Sequence, residues 1–97
     1  MKNVYVIGVF DLFHFGHVEL LRRAKELGDR LIVAINGDEM VASYKRRPFL
    51  SEQDRLEVVK ACRYVDDVNI VFFNVFLIII PVNNKGIIHI TTSFHDF

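Results

Sequence analysis

The chain has 97 residues, 52% of them hydrophobic and 25% charged, which describes one small globular domain and excludes a disordered chain. Twelve basic and twelve acidic side chains cancel, so no net field draws in nucleic acid or an anionic membrane, and any anion site must be local. The single cysteine, Cys62, excludes an internal disulfide and suits a reducing compartment.

"VYVIGV" (Val4–Val9) is a continuous apolar run rich in β-branched residues and predicts a strand covered on both faces. It is too short for a signal peptide, and the chain reads as cytoplasmic. Residues 17–27, "HVELLRRAKEL", switch to helical spacing. Val18, Leu21 and Ala24, with Leu20 and Leu27, form the apolar stripe, and Gly28 follows where a left-handed C-terminal cap is expected. "RLIVAI" (Arg30–Ile35) reads as a second buried strand, completing a βαβ unit. "NGDEMVASYKRRPF" (Asn36–Phe49) opens as a turn, holds one or two helical turns around Glu39–Tyr44, and ends as a basic loop. Ser51 and Asp54 have capping-box spacing. In the helix that follows, Val58, Ala61, Cys62 and Val65 are expected to face the core. "VNIVFF" restarts a strand after Asp66 and Asp67. The alternation predicts an α/β fold of the Rossmann-like group, a parallel sheet with flanking helices.

A seam falls near residue 70. Of 24 charged residues, only Lys85 and Asp96 lie beyond residue 69. The apolar stretch from Ile70 to Val82 falls short of the about 20 residues a membrane-spanning helix requires, and Pro81 interrupts it. We therefore divide the chain into a core, residues 1–69, and an apolar tail, residues 70–97. Either the tail completes the sheet as a hairpin of "VFLIII" and "IIHITT" joined through "NNKG", or it is foreign to the domain before it.

"GVFDLFHFGH" (Gly8–His17) carries the chemistry. In open parallel sheets, ligands bind beyond the carboxyl ends of the strands, and a helix start there favours a phosphate. His14 and His17 would flank that anion, with Gly16 removing a side chain between them. Zinc is disfavoured because no third and fourth ligand accompanies the pair, so no protein-held metal site is expected. No G-x-x-x-x-G-K-[ST] or G-x-G-x-x-G loop is present.

The same stretch resembles the G-x-F-D-x-x-H-x-G-H motif of the cytidylyltransferase-like (HxGH) nucleotidyltransferases. The similarity continues through "LGDRLIVAINGDE", "YKRRPF" and "SEQDRLEVVKACRYVDDV", from about Lys2 to Val68. The resemblance implies an enzyme that transfers CMP from CTP to a phosphorylated small alcohol. Glycerol 3-phosphate, giving CDP-glycerol and pyrophosphate, is the acceptor of the branch it most resembles. Phosphocholine, phosphoethanolamine, an ATP-using adenylyl transfer, or a catalytically silent nucleotide-binding domain are the alternatives.

Carried onto this chain, the resemblance makes His14 and His17 catalytic. Gly8, Val9, Phe10, Asp11, Phe15, Gly16 and Arg46 become nucleotide-binding, and Lys45, Arg55 and Arg63 bind the acceptor or its phosphate. Arg55 and Arg63 are placed on one helix, about 12 Å apart along its axis. Mg²⁺ is implied as a cofactor held mainly by the nucleotide phosphates, and a homodimer is implied as the assembly, with no nucleic acid and no membrane span. The family's second signature, R-T-x-G-I-S-[ST]-T, has no counterpart with an arginine. "KGIIHITTSF" (Lys85–Phe94) offers only Thr91, Thr92 and Ser93, so the C-terminal part is incomplete or atypical.

Overall fold

The computed structural model describes residues 2–43, 46–72 and 87–91, the last as strand backbone. Four strands, β1 (Asn3–Gly8), β2 (Arg30–Asn36), β3 (Asp67–Val71) and β4 (Ile87–Thr91), form one sheet in the order β3-β2-β1-β4. Every pairing is parallel. Helices α1 (Phe15–Glu26), α2 (Asp38–Ala42) and α3 (Glu52–Lys60) occupy the connections. The expected α/β architecture is therefore present.

β2 lies inside the sheet and is buried from Leu31 to Asn36, which explains its unbroken apolar run. β1 alternates, with Val4, Val6 and Gly8 turned inward. Leu21 and Ala24 of α1 and Val59 of α3 close over Val4, Val6, Leu31, Val33 and Ile35, so one core joins both helices to the two inner strands. Parallel register aligns Gly8 with Ile35 and Asn36 with Val71. The loops after these strands therefore gather along one edge, where ligands bind in such sheets.

Four expectations change. Gly28 does not adopt a left-handed cap: α1 ends on Leu27 in right-handed geometry. A Cβ at Gly28 would lie 2.7 Å from the Lys2 carbonyl oxygen and 2.8 Å from Val4 Cγ2, so close approach, not backbone conformation, demands glycine. Gly28→Ala is expected to lower the unfolding free energy by about 1–3 kcal/mol, checked by urea denaturation. Next, α3 stops at Lys60, and Val58 is exposed while Val59 is fully buried. The core face is Arg55–Val59 with partly buried Leu56 and Cys62, rotated from the stripe read in sequence. Consequently Arg63 is not helical. It follows α3 toward the amino ends of the strands, where Asp66 donates its N–H to the Leu31 carbonyl and accepts the Leu31 N–H.

The tail also differs from a simple hairpin. "IIHIT" is a strand, but it pairs in parallel with β1, Asn3 facing Ile87 and Ile7 facing Thr91. Its expected partner "VFLIII" lies outside the described residues, as do Thr92 and Ser93. No helix among the described residues is long and apolar enough to cross a membrane.

Candidate nucleotide site

The loop from Val9 to His14 leaves the carboxyl end of β1 under backbone strain. Phe10 and Leu12 adopt left-handed φ values of 54° and 51°, which L side chains avoid at a cost of roughly 1–2 kcal/mol each. Such strain persists only where surroundings hold it. The Phe10 ring is fully buried against Phe13 and His17. Between the two strained residues, Asp11 crosses to the far loop. Its Oδ2 accepts the Phe49 N–H at 2.7 Å and its Oδ1 the Leu50 N–H at 2.9 Å.

His14 is the N-cap of α1 and His17 its third residue. The His14 Nδ1 accepts the Gly16 N–H at 2.9 Å, and the His17 Nδ1 accepts the His14 N–H at 2.9 Å. This is the reciprocal capping arrangement usually made by a hydroxyl and a carboxylate, here built from two imidazoles. It accounts for their spacing, because cap and third residue are the positions that can serve each other. Gly16 follows from the same geometry: a Cβ there would lie 2.7 Å from His14 Cε1, so the ring occupies the space.

The cap also decides the tautomers. With Nδ1 accepting, each neutral ring carries its proton on Nε2. The ring centroids lie 4.1 Å apart. Their surroundings differ sharply. His14 is exposed. His17 is 1% exposed, on the buried face of α1 with Leu21 and Ala24, and it stacks on Phe13. Burial, then the adjacent His14, push its pKa down to about 4 against an opposing pull from Asp11. His17 is therefore neutral at pH 7.

These contacts limit the free amides that a helix start usually offers a phosphate. The Gly16 N–H is used by His14, and the His17 and Val18 N–H groups donate to the His14 carbonyl. What the arrangement offers a phosphate is the Nε2–H of the exposed His14, with His17 buried beneath it, rather than a ring of backbone donors.

Arg55 requires a correction. It is fully buried, so it is not an open phosphate ligand. Its Nη1 donates to the carbonyls of Val9 (2.9 Å) and Asn36 (2.7 Å), and its Nε to that of Leu50 (3.1 Å). Nη2 pairs with Asp38 Oδ1 at 2.6 Å. One guanidinium thus ties the ends of β1 and β2 to the loop before α3. Asp38 and Glu52, which the sequence did not single out, complete the knot, since Glu52 Oε1 accepts the Asp38 N–H at 2.8 Å. No local pattern announces a pairing across 17 residues.

The remaining candidates divide. Gly8 and Val9 are buried at the end of β1, and the Val9 carbonyl is held by Arg55. Phe15 is exposed at the start of α1. Arg46 lies with its guanidinium 4.0 Å from the Phe49 ring centroid, on the loop that Asp11 holds. Arg63 is not brought to this edge; its guanidinium pairs with the Tyr64 hydroxyl at 2.8 Å. Lys45 lies outside the described residues. Among the described residues, no group of three His, Cys, Asp or Glu could hold a metal ion, and both Asp11 oxygens already accept amides. A protein cage for Mg²⁺ does not fit what these residues present.

Comparisons with known proteins bear on the family and the fold. A cytidylyltransferase-like family model matches residues 5–89, through most of β4. The ethanolamine-phosphate cytidylyltransferase of Dictyostelium discoideum is 51% identical over 66 residues, covering 68% of this chain and 18% of that protein. The FAD synthase of Pyrococcus horikoshii is 57% identical over 67 residues, 68% of this chain and 45% of that one. The glycerol-3-phosphate cytidylyltransferase of Bacillus subtilis is 46% identical over 68 residues, 70% and 53% of the two chains. The chain thus spans about half the length of these curated relatives, or less. The crystal structure of the lipopolysaccharide core biosynthesis protein from Thermoplasma volcanium GSS1 superposes with a TM-score of 0.80 at 21% identity, covering 96% of this chain and 97% of that one. That likeness supports the fold. With the family match spanning most of its length, the chain belongs to the cytidylyltransferase-like family.

Proposed function

We propose that this chain binds CTP at the His14 loop and transfers its CMP group to a phosphorylated acceptor. The observation that carries the reading is the imidazole pair, capped so that both rings keep their proton on Nε2 at the ligand-binding edge of a parallel sheet. In the transfer, an acceptor phosphate oxygen bonds to the α-phosphorus of CTP while the bond from that phosphorus to the pyrophosphate oxygen breaks. Charge gathers on the transferring and leaving oxygens, and such a step is served by fixed donors. His14 Nε2–H is the exposed donor. His17 is a positioning residue that holds the His14 backbone from below. Mg²⁺, held by phosphate oxygens and water, would offset the triphosphate charge. Glycerol 3-phosphate is the acceptor implied by the sequence resemblance. Relatives include ethanolamine-phosphate cytidylyltransferases and FAD synthases as well as glycerol-3-phosphate cytidylyltransferases.

The test is CTP-dependent pyrophosphate release with glycerol 3-phosphate, alongside CTP protection against thermal unfolding. His14→Ala is expected to lower kcat about 10²–10³-fold, the effect of losing one fixed donor. Protection by ATP but not CTP would move the reading to adenylyl transfer. Protection by neither, in folded protein, would end it.

A further inference from the structure

We propose that Phe49 is a positioning residue for the transfer: its ring steadies the Arg46 guanidinium, and that cation meets the polyphosphate of the nucleotide. The proposal rests on the nucleotidyl-transfer reading and names the side chain that sets one of its cations.

Arg46 and Arg47 are neighbours in sequence but have different surroundings. Pro48 biases Arg47 toward extended backbone, in which successive side chains leave on opposite sides. The two arginines do part. Arg47 turns to α2, where its Nη2 meets Glu39 Oε1 at 2.6 Å, so its charge is matched locally. Arg46 instead lies with its guanidinium 4.0 Å from the centroid of the Phe49 ring. A carboxylate steadies a cation by neutralising it. An aromatic face attracts a guanidinium through its quadrupole and leaves the positive charge available to an anion.

The ring is in turn tied to the histidine loop. The Asp11 carboxylate accepts the Phe49 N–H at 2.7 Å and the Leu50 N–H at 2.9 Å, and the Leu50 carbonyl accepts Arg55 Nε. Asp11 stands between Phe10 and Leu12, the two residues in left-handed backbone, so the strained turn and the Phe49 peptide are fixed together. Phe49 is 60% exposed and Arg46 is exposed as well, yet both ride on a loop bonded to the strand end that carries His14. A long cation free in water must lose rotamer freedom when it binds an anion. Resting it on a ring in advance removes part of that cost.

The test is a double-substitution cycle on the full chain, read by calorimetric binding of CTP and, separately, of inorganic tripolyphosphate. Phe49→Leu, which keeps an apolar surface residue, is expected to weaken CTP binding about two- to fivefold. Phe49→Trp, a stronger partner for a cation, is expected to restore it. In an Arg46→Ala background, Phe49→Leu is expected to change nothing further, because a residue that acts through Arg46 has nothing left to place. The Arg46 Nε–H resonance is expected to lose its ring-current shift in Phe49→Leu. Unchanged CTP binding by Phe49→Leu, equal weakening with and without Arg46, or an unmoved Arg46 resonance would each overturn the role. Tripolyphosphate is expected to follow CTP through the cycle; a cycle seen with CTP alone would put Arg46 on the nucleoside and overturn the polyphosphate contact. A cycle seen with tripolyphosphate in a chain that does not bind CTP removes the transfer reading and keeps the positioning role. CTP binding with additive substitutions removes only the positioning role, and binding of neither probe by the folded chain ends both.

Discussion

Replacing Arg55 with methionine is expected to lower the unfolding free energy by about 3–5 kcal/mol, a large share of the roughly 5–15 kcal/mol available to a small domain. The side chain is fully buried and meets three carbonyls and a carboxylate drawn from three parts of the chain. Methionine fills much of the volume but leaves Asp38 without its ion pair and the Val9, Asn36 and Leu50 carbonyls without this donor. Removing one partner of a buried pair is far more damaging than the pair's net worth suggests. Arg55→Lys should recover only part of the loss, because one ammonium cannot span acceptors that the guanidinium fork reaches at Nε, Nη1 and Nη2. Urea denaturation of the three proteins would decide. A drop below about 1 kcal/mol for the methionine variant would show that the knot adds little to stability.

The second large effect is a loss of stability between pH 6.5 and pH 4. Unfolded His17 takes up its proton near 6.5, and the folded chain resists until about 4. Between those values the unfolded state binds more protons, so stability falls as the solution is acidified through the window. It is full above 6.5, and this group adds no further loss below 4. The shift corresponds to at most about 3 kcal/mol. Burial is the main cause, with His14 adding to it and Asp11 opposing it. Structure supplies an independent reason. A protonated Nδ1 cannot accept the His14 N–H, so charging the ring opens the reciprocal cap. His17→Asn places an amide oxygen near the Nδ1 position and does not titrate. Its melting temperature is expected to lose most of the dependence seen in the unsubstituted chain across this window. Parallel pH curves for the two proteins would show that other groups govern the acid loss.

Much of the fold was legible because it is written in neighbouring residues. The apolar runs at Val4–Val9 and Arg30–Ile35 mark β1 and β2, and the 3.6-residue spacing after Phe15 marks α1. Ser51 does cap α3, accepting the Asp54 N–H. The loop holding His14 and His17 was legible as well, since strand end, glycine and helix start lie together in the chain. Arg55 was not. A hydrophobic pattern registers an arginine as a water-facing residue, so the buried face of α3 was read one position away, through Val58 instead of Val59. Nor could the sequence show that "IIHIT" pairs with β1 in parallel.

The sequence by itself determined the element types, the α/β class and the edge where the histidines stand, because periodicity, apolar runs and turn residues act over a few neighbours. Only the tertiary structure decided that His14 and His17 cap one another, that Arg55 is a buried fastener, and that Arg63 lies elsewhere. Hydrogen-bond acceptors such as the carbonyls of Val9 and Asn36 meet a guanidinium from α3 only once the chain has returned on itself. Convergence of that kind is a property of the packed sheet and leaves no mark on local spacing.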